Sequence, residues 1–461
     1  MIKDSIEGII ARSRVAQVAY EAGGSQARYD RAAAAVAWAI MEPARNRELA
    51  ELAVETTGLG NVPDKITKNH RKTLGLMRDI KGAVTFGVMA DDPETGITEI
   101  ARAKGVVGAI VPSTNPAATP ANNIINALKC GNSIVLAPSP KGVACAERLL
   151  EFVHAEFAKI GEDPDLVQMI PAPGSKDKTQ ALMAACDMIV ATGSQNNVHR
   201  AQTAGTPAVA VGAGNVTVIV DETADLDAAA EKIRASKCFD NATSCSSENA
   251  VVVVDAVYDV FVAAMAKAGG AVVEDEAGIV AKLWPDGHLN RSVIAQDADK
   301  MIAALDLDVP EGTDYIAVPT DGIGPDYPLS GEKLSRVLAL YRAADFDAAV
   351  DKADTIQRYQ GAGHSVGLHS SDPDRPMVLA TKIPTSRVIV NQAHTFATGG
   401  SFTNGMPFSL SMGCGTWGGN SVNENVNYRH FLQSTKIVRE IPPREPSLED
   451  IFSDYWGAAG Q

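Results

Sequence analysis

Residues 105–137 read GVVGAIVPSTNPAATPANNIINALKCGNSIVLA, which is an apolar run, a helical stretch and a second apolar run. The runs at 105–111 and 133–137 are short, rich in valine and isoleucine and bounded by turn-forming residues, as buried strands are. Between them, residues 121–129 show the apolar spacing of a helix. A strand, a helix and a strand in this order predict a parallel sheet covered by helices.

The same alternation extends over most of the chain. The first 80 residues are predicted to be helical, and residues 85–103 are predicted to form a β-hairpin. The further predicted strands are 166–170, 187–190, 208–211, 216–220, 251–254, 315–318, 337–342 and 387–391. The sequence therefore predicts an α/β fold with two doubly wound parallel-sheet domains.

The simplest division of the chain has three parts. A nucleotide-type domain covers residues 1–228, a catalytic domain covers 229–425, and a C-terminal arm covers 426–461. In that arm, residues 435–440 are strand-like and have no obvious partner within the chain. We expect this strand to pair with another subunit.

Composition argues against several classes of function. The chain has 461 residues, 45% of them hydrophobic and 21% charged, and lacks the run of 18 apolar residues that predicts a membrane span. Its formal net charge of −15 argues against nucleic acid as a partner, and its eight histidines lack the spacing of metal ligands. Six cysteines without paired spacings, and a start without the layout of a secretory signal, predict a cytoplasmic protein with free thiols.

The segment 236–249, SKCFDNATSCSSEN, carries the strongest candidate for chemistry. It places Cys245 in a polar loop between a predicted helix and an apolar strand, where a thiol is open to substrate and close to backbone N–H groups. Cys245 is therefore a candidate nucleophile that would form a covalent thioester or hemithioacetal. The alternative is that this cysteine only packs, as free cysteines commonly do.

Four other segments have a functional and a structural interpretation, and the residues alone leave both open. They are PSTNP at 112–116, TGS at 192–194, VGAGN at 211–215 and MGCGTWGGNS at 412–421. In the first, the Asn115 amide could stabilise an oxyanion, or it could belong to a turn. The second and third could approach a phosphate or another ligand, or they could be a helix cap and a tight bend. The fourth could be a mobile ligand loop or a connector.

Taken together and in order, these segments resemble the CoA-acylating branch of the aldehyde dehydrogenase superfamily. The matching segments are 105–116, 191–197, 205–215, 236–248, 332–342, 361–364 and 413–421. The resemblance implies an aldehyde-dehydrogenase-like fold, with a small β oligomerisation arm beside the two large domains, and assembly as a homodimer or homotetramer. Segments 111–120, 193–198 and 241–249 resemble most closely the members that act on sulfoacetaldehyde. Members that act on succinate semialdehyde are nearly as similar and share segments 399–402 and 446–451.

The resemblance also assigns roles to single residues. It makes Cys245 the nucleophile, Asn115 with the backbone N–H of Cys245 the oxyanion hole, and His364 a residue near the site that assists CoA. Glu332 falls where the superfamily binds the nicotinamide ribose. The residues expected to hold the cofactor are Ser113, Thr114, Ser139, Lys141, Thr192, Gly193, Ser194, Gly212, Ala213, Gly214, Glu332 and Leu334. No metal is expected.

Two departures from the hydrolytic aldehyde dehydrogenases bear on the reaction. Where those enzymes have a glutamate that activates water, this chain has Val211, so we expect the thioester to persist until the thiol of CoA attacks it. Where they have an acidic residue for the adenosine ribose, this chain reads APSP at 137–140, followed by Lys141. Loss of the acid removes the repulsion of a 2′-phosphate, which favours NADP and leaves NAD open.

The expected function is therefore reversible, NAD(P)-dependent oxidation of an aldehyde to its acyl-CoA, with sulfoacetaldehyde as the favoured substrate. Candidate donors for the anionic end of such an aldehyde are Thr243, Ser244, Asn196 and His394. Succinate semialdehyde is the alternative substrate. The competing interpretations are a hydrolytic dehydrogenase that uses another base and a non-catalytic structural protein that retains the fold.

Overall fold

The computed structural model describes residues 5–459. The first four and the last two residues lie outside this range, and with them most of the segment on which the expectation about a secretory signal depends. Four helices form the N-terminal part: α1 (Ile6–Ala22), α2 (Gln26–Met41), α3 (Pro43–Thr57) and α4 (Val62–Ile80). Each begins after a side chain that accepts a backbone N–H of its first turn: Ser5, Ser25, Glu42 and Asn61. The prediction that this region is helical is confirmed.

The predicted hairpin is also confirmed. Its strands are β1 (Val88–Asp92) and β2 (Ile97–Ala103), which pair antiparallel. The turn between them is polar, and the Asp92 side chain accepts the backbone N–H of Glu94 at 2.9 Å. A local Asp contact of this kind stabilises a turn, which is why the sequence signal for this hairpin is clear.

Five parallel strands form the first sheet: β3 (Val106–Val111), β4 (Ser133–Pro138), β5 (Val167–Met169), β6 (Met188–Thr192) and β7 (Ala208–Val211). Their order across the sheet is β5-β4-β3-β6-β7. Four helices follow these strands in turn: α5 (Ala118–Lys129), α6 (Val143–Ile160), α7 (Lys176–Ala185) and α8 (Gln195–Gln202). Every residue of β3 is buried, because Val107 packs in the core on one face of the sheet and Val106 in the core on the other.

Seven parallel strands form the second sheet: β8 (Val216–Val220), β9 (Glu248–Val254), β10 (Gly270–Val272), β11 (Tyr315–Pro319), β12 (Val337–Ala343), β13 (Val366–His369) and β14 (Val388–Val390). Their order is β10-β11-β12-β9-β8-β13-β14. The helices of this part are α9 (Leu226–Cys238), α10 (Tyr258–Lys267), α11 (Glu276–Leu283), α12 (Ala298–Leu305), α13 (Phe346–Tyr359), α14 (Arg375–Lys382) and α15 (His394–Ala397). The two parallel sheets confirm the predicted fold class.

The chain passes from the first sheet to the second between β7 and β8. Strand β8 lies before the predicted boundary at residue 228, yet it pairs with β9 and β13 in the second sheet. An alternation of strands and helices does not specify which sheet a strand joins, so the sequence could not place β8. The bounds of the three predicted parts remain predictions.

The expectation that the tail strand has no partner within the chain is wrong, whereas pairing of its other edge with another subunit stays a prediction. That strand is β15 (Leu432–Val438), and it pairs antiparallel with β2 of the same chain, from Leu432 opposite Ala103 to Val438 opposite Ile97. The sequence did not reveal this partner because β2 and β15 lie far apart along the chain. The last helix, α16 (Leu448–Ala459), follows.

Two features are absent from residues 5–459. No helix in this range is both long enough and apolar enough to span a membrane. No group of three or more His, Cys, Asp or Glu side chains in the same range is arranged to hold a metal ion. The six cysteines are all free thiols.

Candidate active site

The carboxyl ends of four strands of the first sheet open onto a cleft of about 810 Å³. Segments that follow β3, β4, β6 and β7 line it, and so does the loop before β9. Open parallel sheets bind ligands at this end of their strands. Twelve of the predicted site residues line the cleft: Ser113, Thr114, Asn115, Ser139, Thr192, Gly193, Ser194, Gly212, Ala213, Cys245, Glu332 and Leu334.

Three predicted residues do not line the cleft. The ammonium group of Lys141 donates to the carbonyl oxygen of Thr57 at 3.4 Å. Gly214 lies behind Cys245, against its carbonyl oxygen. His364 is buried, and its Nε2 lies 3.3 Å from Sγ of Cys245. The last two residues therefore adjoin Cys245 from the protein side, whereas the side chain of Lys141 is directed elsewhere.

The loop that presents Cys245 has an unusual backbone. Helix α9 ends at Cys238, and Asp240, Asn241 and Ala242 then have φ values of 48°, 54° and 61°. Left-handed backbone at a residue other than glycine costs on the order of 1–3 kcal/mol. Three such residues in succession are not a local preference, so contacts with the rest of the chain must hold the loop in this shape.

Those contacts come from α4 and from the second sheet. The buried carboxylate of Asp240 accepts hydrogen bonds from Lys65 at 3.1 Å and from Lys68 at 2.5 Å. Burial acts to raise the pKa of Asp240, but the two ammonium charges outweigh it and hold that pKa below its usual value. On the other side, Arg336 donates to the side-chain oxygen of Asn241 at 2.6 Å. The strained segment is thus fixed at both of its polar side chains.

The thiol and the imidazole beside it are both uncharged at neutral pH. Burial raises the pKa of Cys245 to about 12, and the nearby carboxylate of Glu332 adds to the rise. Burial lowers the pKa of His364 to about 3, and the charge of Arg387 lowers it further. The resting state is therefore a thiol next to a neutral ring, unlike the thiolate–imidazolium pairs of cysteine proteases. Only a small fraction of Cys245 is therefore thiolate at neutral pH.

A short chain of polar groups holds the imidazole in place. Nδ1 of His364 lies 2.7 Å from Oγ of Ser365, and that hydroxyl lies 2.8 Å from Nε2 of His394. All three side chains are buried. A ring fixed through one nitrogen presents the other in a constant direction, so His364 is positioned to exchange a proton at the sulfur.

Basic side chains dominate the charge of the cleft, although the chain as a whole is acidic. Five of them line it: Lys68, Arg71, Lys72, Lys176 and Arg200. Among the described residues, Glu332 is the one acidic side chain that lines the cleft, and burial raises its pKa to about 7 although Lys237 and Lys333 act to lower it. Val211, at the position where the resemblance implies a glutamate in the hydrolytic enzymes, is buried. The cleft suits anionic ligands.

The turn between β6 and α8 fits a phosphate group of a dinucleotide. Gly193 and Ser194 line the cleft at the N-terminus of α8, where backbone N–H groups and the helix dipole favour an anion. A Cβ atom on Gly193 would meet nothing closer than 3.8 Å, so the space beside this turn is open. Oγ of Ser139, also in the cleft, is buried and has no hydrogen-bond partner within residues 5–459. These residues fit a nicotinamide dinucleotide.

Comparison with known proteins agrees with this geometry. The model of the aldehyde dehydrogenase family matches residues 5–276, which is more than half of the chain. The chain is 55% identical to an acylating sulfoacetaldehyde dehydrogenase of Cupriavidus necator, over 99% of this chain and 94% of that protein. The chain therefore belongs to the aldehyde dehydrogenase family.

Two further similar proteins are named as acetylating enzymes. A succinate-semialdehyde dehydrogenase (acetylating) of Clostridium kluyveri is 36% identical, over 97% of this chain and 99% of that protein. A solved acetylating aldehyde dehydrogenase of Geobacillus thermoglucosidasius superposes with a TM-score of 0.91 at 29% identity, over 96% of this chain and 98% of that one. The resemblance predicted from the motifs is confirmed.

The basic residues that α4 brings to the site were not predicted from the sequence. Lys65, Lys68 and Lys72 lie three and four residues apart, which places them on one face of that helix. All three are buried, which is rare for lysine unless it is paired. The spacing was visible in the sequence, but a polar helix face is ordinarily solvated, so only the tertiary structure identifies this one as part of the site.

Proposed function

We propose that this protein is a CoA-acylating aldehyde dehydrogenase that oxidises an aldehyde to its acyl-CoA through a thioester on Cys245. The observation that carries the proposal is that, among residues 5–459, no water-activating carboxylate stands beside the sulfur of Cys245. The sulfur contacts the neutral ring of His364, and the apolar side chain of Val211 occupies the sequence position of the water-activating glutamate. Without that base, a thioester is transferred to a thiol more readily than to water.

The cofactor proposed is NADP or NAD, which when bound supplies the acceptor for the hydride. The residues that would hold it are those that line the cleft after β4 and β6, together with Glu332. Gly193 and Ser194 would bind the pyrophosphate. The unpartnered hydroxyl of Ser139 is a donor for the adenosine ribose or its phosphate.

The side chains of the cleft perform the remaining steps. The thiol of Cys245 loses its proton, for which Nε2 of His364 at 3.3 Å is an acceptor, and the sulfur adds to the aldehyde carbon. The side-chain amide of Asn115 and the backbone N–H of Cys245 donate to the oxygen that becomes negative. After oxidation the thiolate of CoA attacks the thioester, the same donors stabilise the second oxyanion, and the acyl-CoA leaves with Cys245 regenerated.

The substrate proposed is sulfoacetaldehyde, because the 55% identical relative is named as an acylating sulfoacetaldehyde dehydrogenase. The basic lining of the cleft supports an anionic aldehyde. Arg71 is notable because Nη2 donates to the carbonyl oxygens of Phe396 and Gly400, at 2.6 and 3.1 Å, and within residues 5–459 it forms no ion pair with a carboxylate. A half-buried guanidinium without an acid has donors left for a sulfonate.

Two of the four donors that the sequence predicts for the anionic end of the aldehyde lie in the cleft. Thr243 and Ser244 line the cleft, whereas Asn196 and His394 do not. Succinate semialdehyde remains a second candidate, because the 36% identical relative is named as a succinate-semialdehyde dehydrogenase. The carboxylate of this aldehyde is an anion as well.

Steady-state kinetics with three aldehydes tests the proposal. Sulfoacetaldehyde, succinate semialdehyde and acetaldehyde are each mixed with NADP or NAD, with and without CoA, and both reduced nucleotide and acyl-CoA are measured. We expect sustained turnover only with CoA and the highest kcat/KM with sulfoacetaldehyde. Sustained production of free acid without CoA would contradict the acylating assignment, and a preference for acetaldehyde would contradict the anionic substrate.

We further propose a homodimer or homotetramer in the cytoplasm. The outer edge of β15 is unpaired within the described residues, and α16 exposes the apolar side chains of Leu448, Ile451 and Tyr455. Unpaired strand edges and apolar helix faces are usually covered. Light scattering during gel filtration should give an even-numbered assembly, and a monomer at micromolar concentration would contradict it. The free thiols suit a reducing compartment.

A further inference from the structure

We infer that Lys68 is a positioning residue that fixes the amide of Asn115 with its N–H groups toward the reacting carbonyl. The inference rests on the proposed function, because it assigns a task to Lys68 in the step that creates the oxyanion. Lys68 lies on α4, outside every motif that the sequence analysis singled out.

The ammonium group of Lys68 lies within hydrogen-bond distance of three side-chain oxygen atoms. Nζ of Lys68 lies 2.9 Å from Oδ1 of Asn115, 2.5 Å from Oδ2 of Asp240 and 2.9 Å from Oγ1 of Thr243. A lysine ammonium has three N–H donors and no acceptor. Its three donors therefore have three partners, and each partner must present an oxygen lone pair to it.

This requirement decides the orientation of Asn115. The oxygen and nitrogen of an amide have nearly the same shape, so only hydrogen bonds distinguish the two orientations. Facing an ammonium, the oxygen is strongly preferred, which leaves Nδ2 on the opposite side. The one hydrogen-bond partner of Nδ2 within residues 5–459 is Oγ1 of Thr114 at 3.5 Å, the limit of a hydrogen bond. Its donors are thus free for a ligand in the cleft that Asn115 shares with Cys245.

The oxyanion hole would lose a donor if the side-chain amide of Asn115 had the opposite orientation. If Asn115 rotated by half a turn, its oxygen would face the developing negative charge and repel it. Oxyanion stabilisation depends on donors that are already in position when the charge appears. Lys68 supplies this fixed orientation and touches no reacting atom.

The same lysine connects the two halves of the site. Asn115 follows β3 of the first sheet, whereas Asp240 and Thr243 belong to the strained loop that leads to Cys245 and β9 of the second. One buried ammonium binds all three side chains. The oxyanion donor and the nucleophile are therefore held relative to each other through Lys68.

Lys65 provides a matched control on the same helix. It donates to Asp240 at 3.1 Å and to the carbonyl oxygen of Thr114 at 3.1 Å, and it has no contact with the amide of Asn115. In either Lys68→Met or Lys65→Met, Asp240 keeps one lysine. Both variants weaken the hold on Asp240 and should lower the melting temperature, but Lys68→Met should slow the single-turnover formation of reduced nucleotide from aldehyde more than Lys65→Met does, by about tenfold to hundredfold.

A double-mutant cycle with Asn115→Ala separates positioning from general damage. If Lys68 acts through the amide, Lys68→Met in the Asn115→Ala background slows the reaction no further. An equal loss in both backgrounds, or an equal loss from Lys65→Met, would overturn the inference. Lys68→Gln replaces Lys68→Met in the cycle if the latter does not fold. Failure of the proposed function is a different result: wild-type protein would then form no reduced nucleotide with any of the three aldehydes.

Discussion

The backbone of Gly214 lies directly against the carbonyl oxygen of Cys245. A Cβ atom built on Gly214 would overlap that oxygen and would lie 2.9 Å from Cδ2 of His364. No real Cβ contact is that short, so any other residue at this position must displace the nucleophile, the imidazole or both. The glycine-rich turn between β7 and β8 therefore limits how Cys245 is placed.

Gly214→Ala should impair catalysis more than folding. A displacement of about 1 Å at a reacting group can lower the rate on the order of a hundredfold, and we expect a loss of that size in kcat. Steady-state kinetics and melting temperature measured together test this. Gly405→Ala is the control, because a Cβ atom there would meet nothing within 4 Å and its backbone is unstrained. Equal effects of the two substitutions on kcat would refute the prediction.

The reactivity of Cys245 should keep rising through the neutral pH range. Because burial raises the pKa of this thiol to about 12, its thiolate fraction increases about tenfold for each pH unit between 7 and 9. The rate of alkylation by iodoacetamide in the enzyme without nucleotide should follow this slope. Cys245→Ala identifies the contribution of the other thiols. A rate that levels off near pH 7 would show a preformed thiolate and contradict the raised pKa.

Arg71→Met should weaken the binding of anionic aldehydes selectively. Loss of a charge-assisted hydrogen bond of about 1.5–3 kcal/mol lowers kcat/KM for sulfoacetaldehyde by about tenfold to hundredfold, and leaves acetaldehyde little changed. Arg78→Met is a matched control, because Arg78 lies on the same helix, donates to the carbonyl oxygen of Ser401 at 3.2 Å and stacks on Phe408, yet does not line the cleft. Equal losses for both aldehydes would exclude the proposed role.

Asp240→Asn should destabilise the protein by about 3–5 kcal/mol, since it leaves two buried ammonium groups without their counter-charge. The sign of the pH dependence follows from the lowered pKa of Asp240. Its stabilisation is present above the ordinary value of 3.8 and is lost as pH falls through the lower value of the folded state. Denaturant unfolding of wild type and variant should therefore differ most above pH 4. The exposed Asp308→Asn is the control.

Local patterns account for most of what the sequence predicted correctly. The continuous apolar runs of β3 and β4 identify strands buried on both faces, and the residues around 241–249 predict a loop between a helix and an apolar strand, which is where the structure has Cys245. Both kinds of signal are contained in a few adjacent residues. The fold class and the position of Cys245 follow from them.

Pairings between distant segments account for what the sequence did not predict. The partner of β15 is β2, and the partners of β8 lie in the second sheet, in both cases because hydrogen bonding between strands leaves no trace in a single sequence. The role of α4 was not predicted for a related reason. Lysines on a helix are ordinarily assumed to face solvent, and only the structure shows that Asp240, far away in sequence, is the partner of Lys65 and Lys68.

The backbone of Asp240, Asn241 and Ala242 has a consequence for protein engineering. A cysteine motif transplanted into another scaffold, or a peptide that copies residues 236–249, lacks the residues that hold this backbone. Two of them, Lys65 and Lys68, bind Asp240 from a helix more than 150 positions earlier, and Arg336 binds Asn241. We expect such a segment to relax into right-handed geometry, so that its sulfur points in another direction. Any redesign of this nucleophile must therefore carry α4 along as part of the graft.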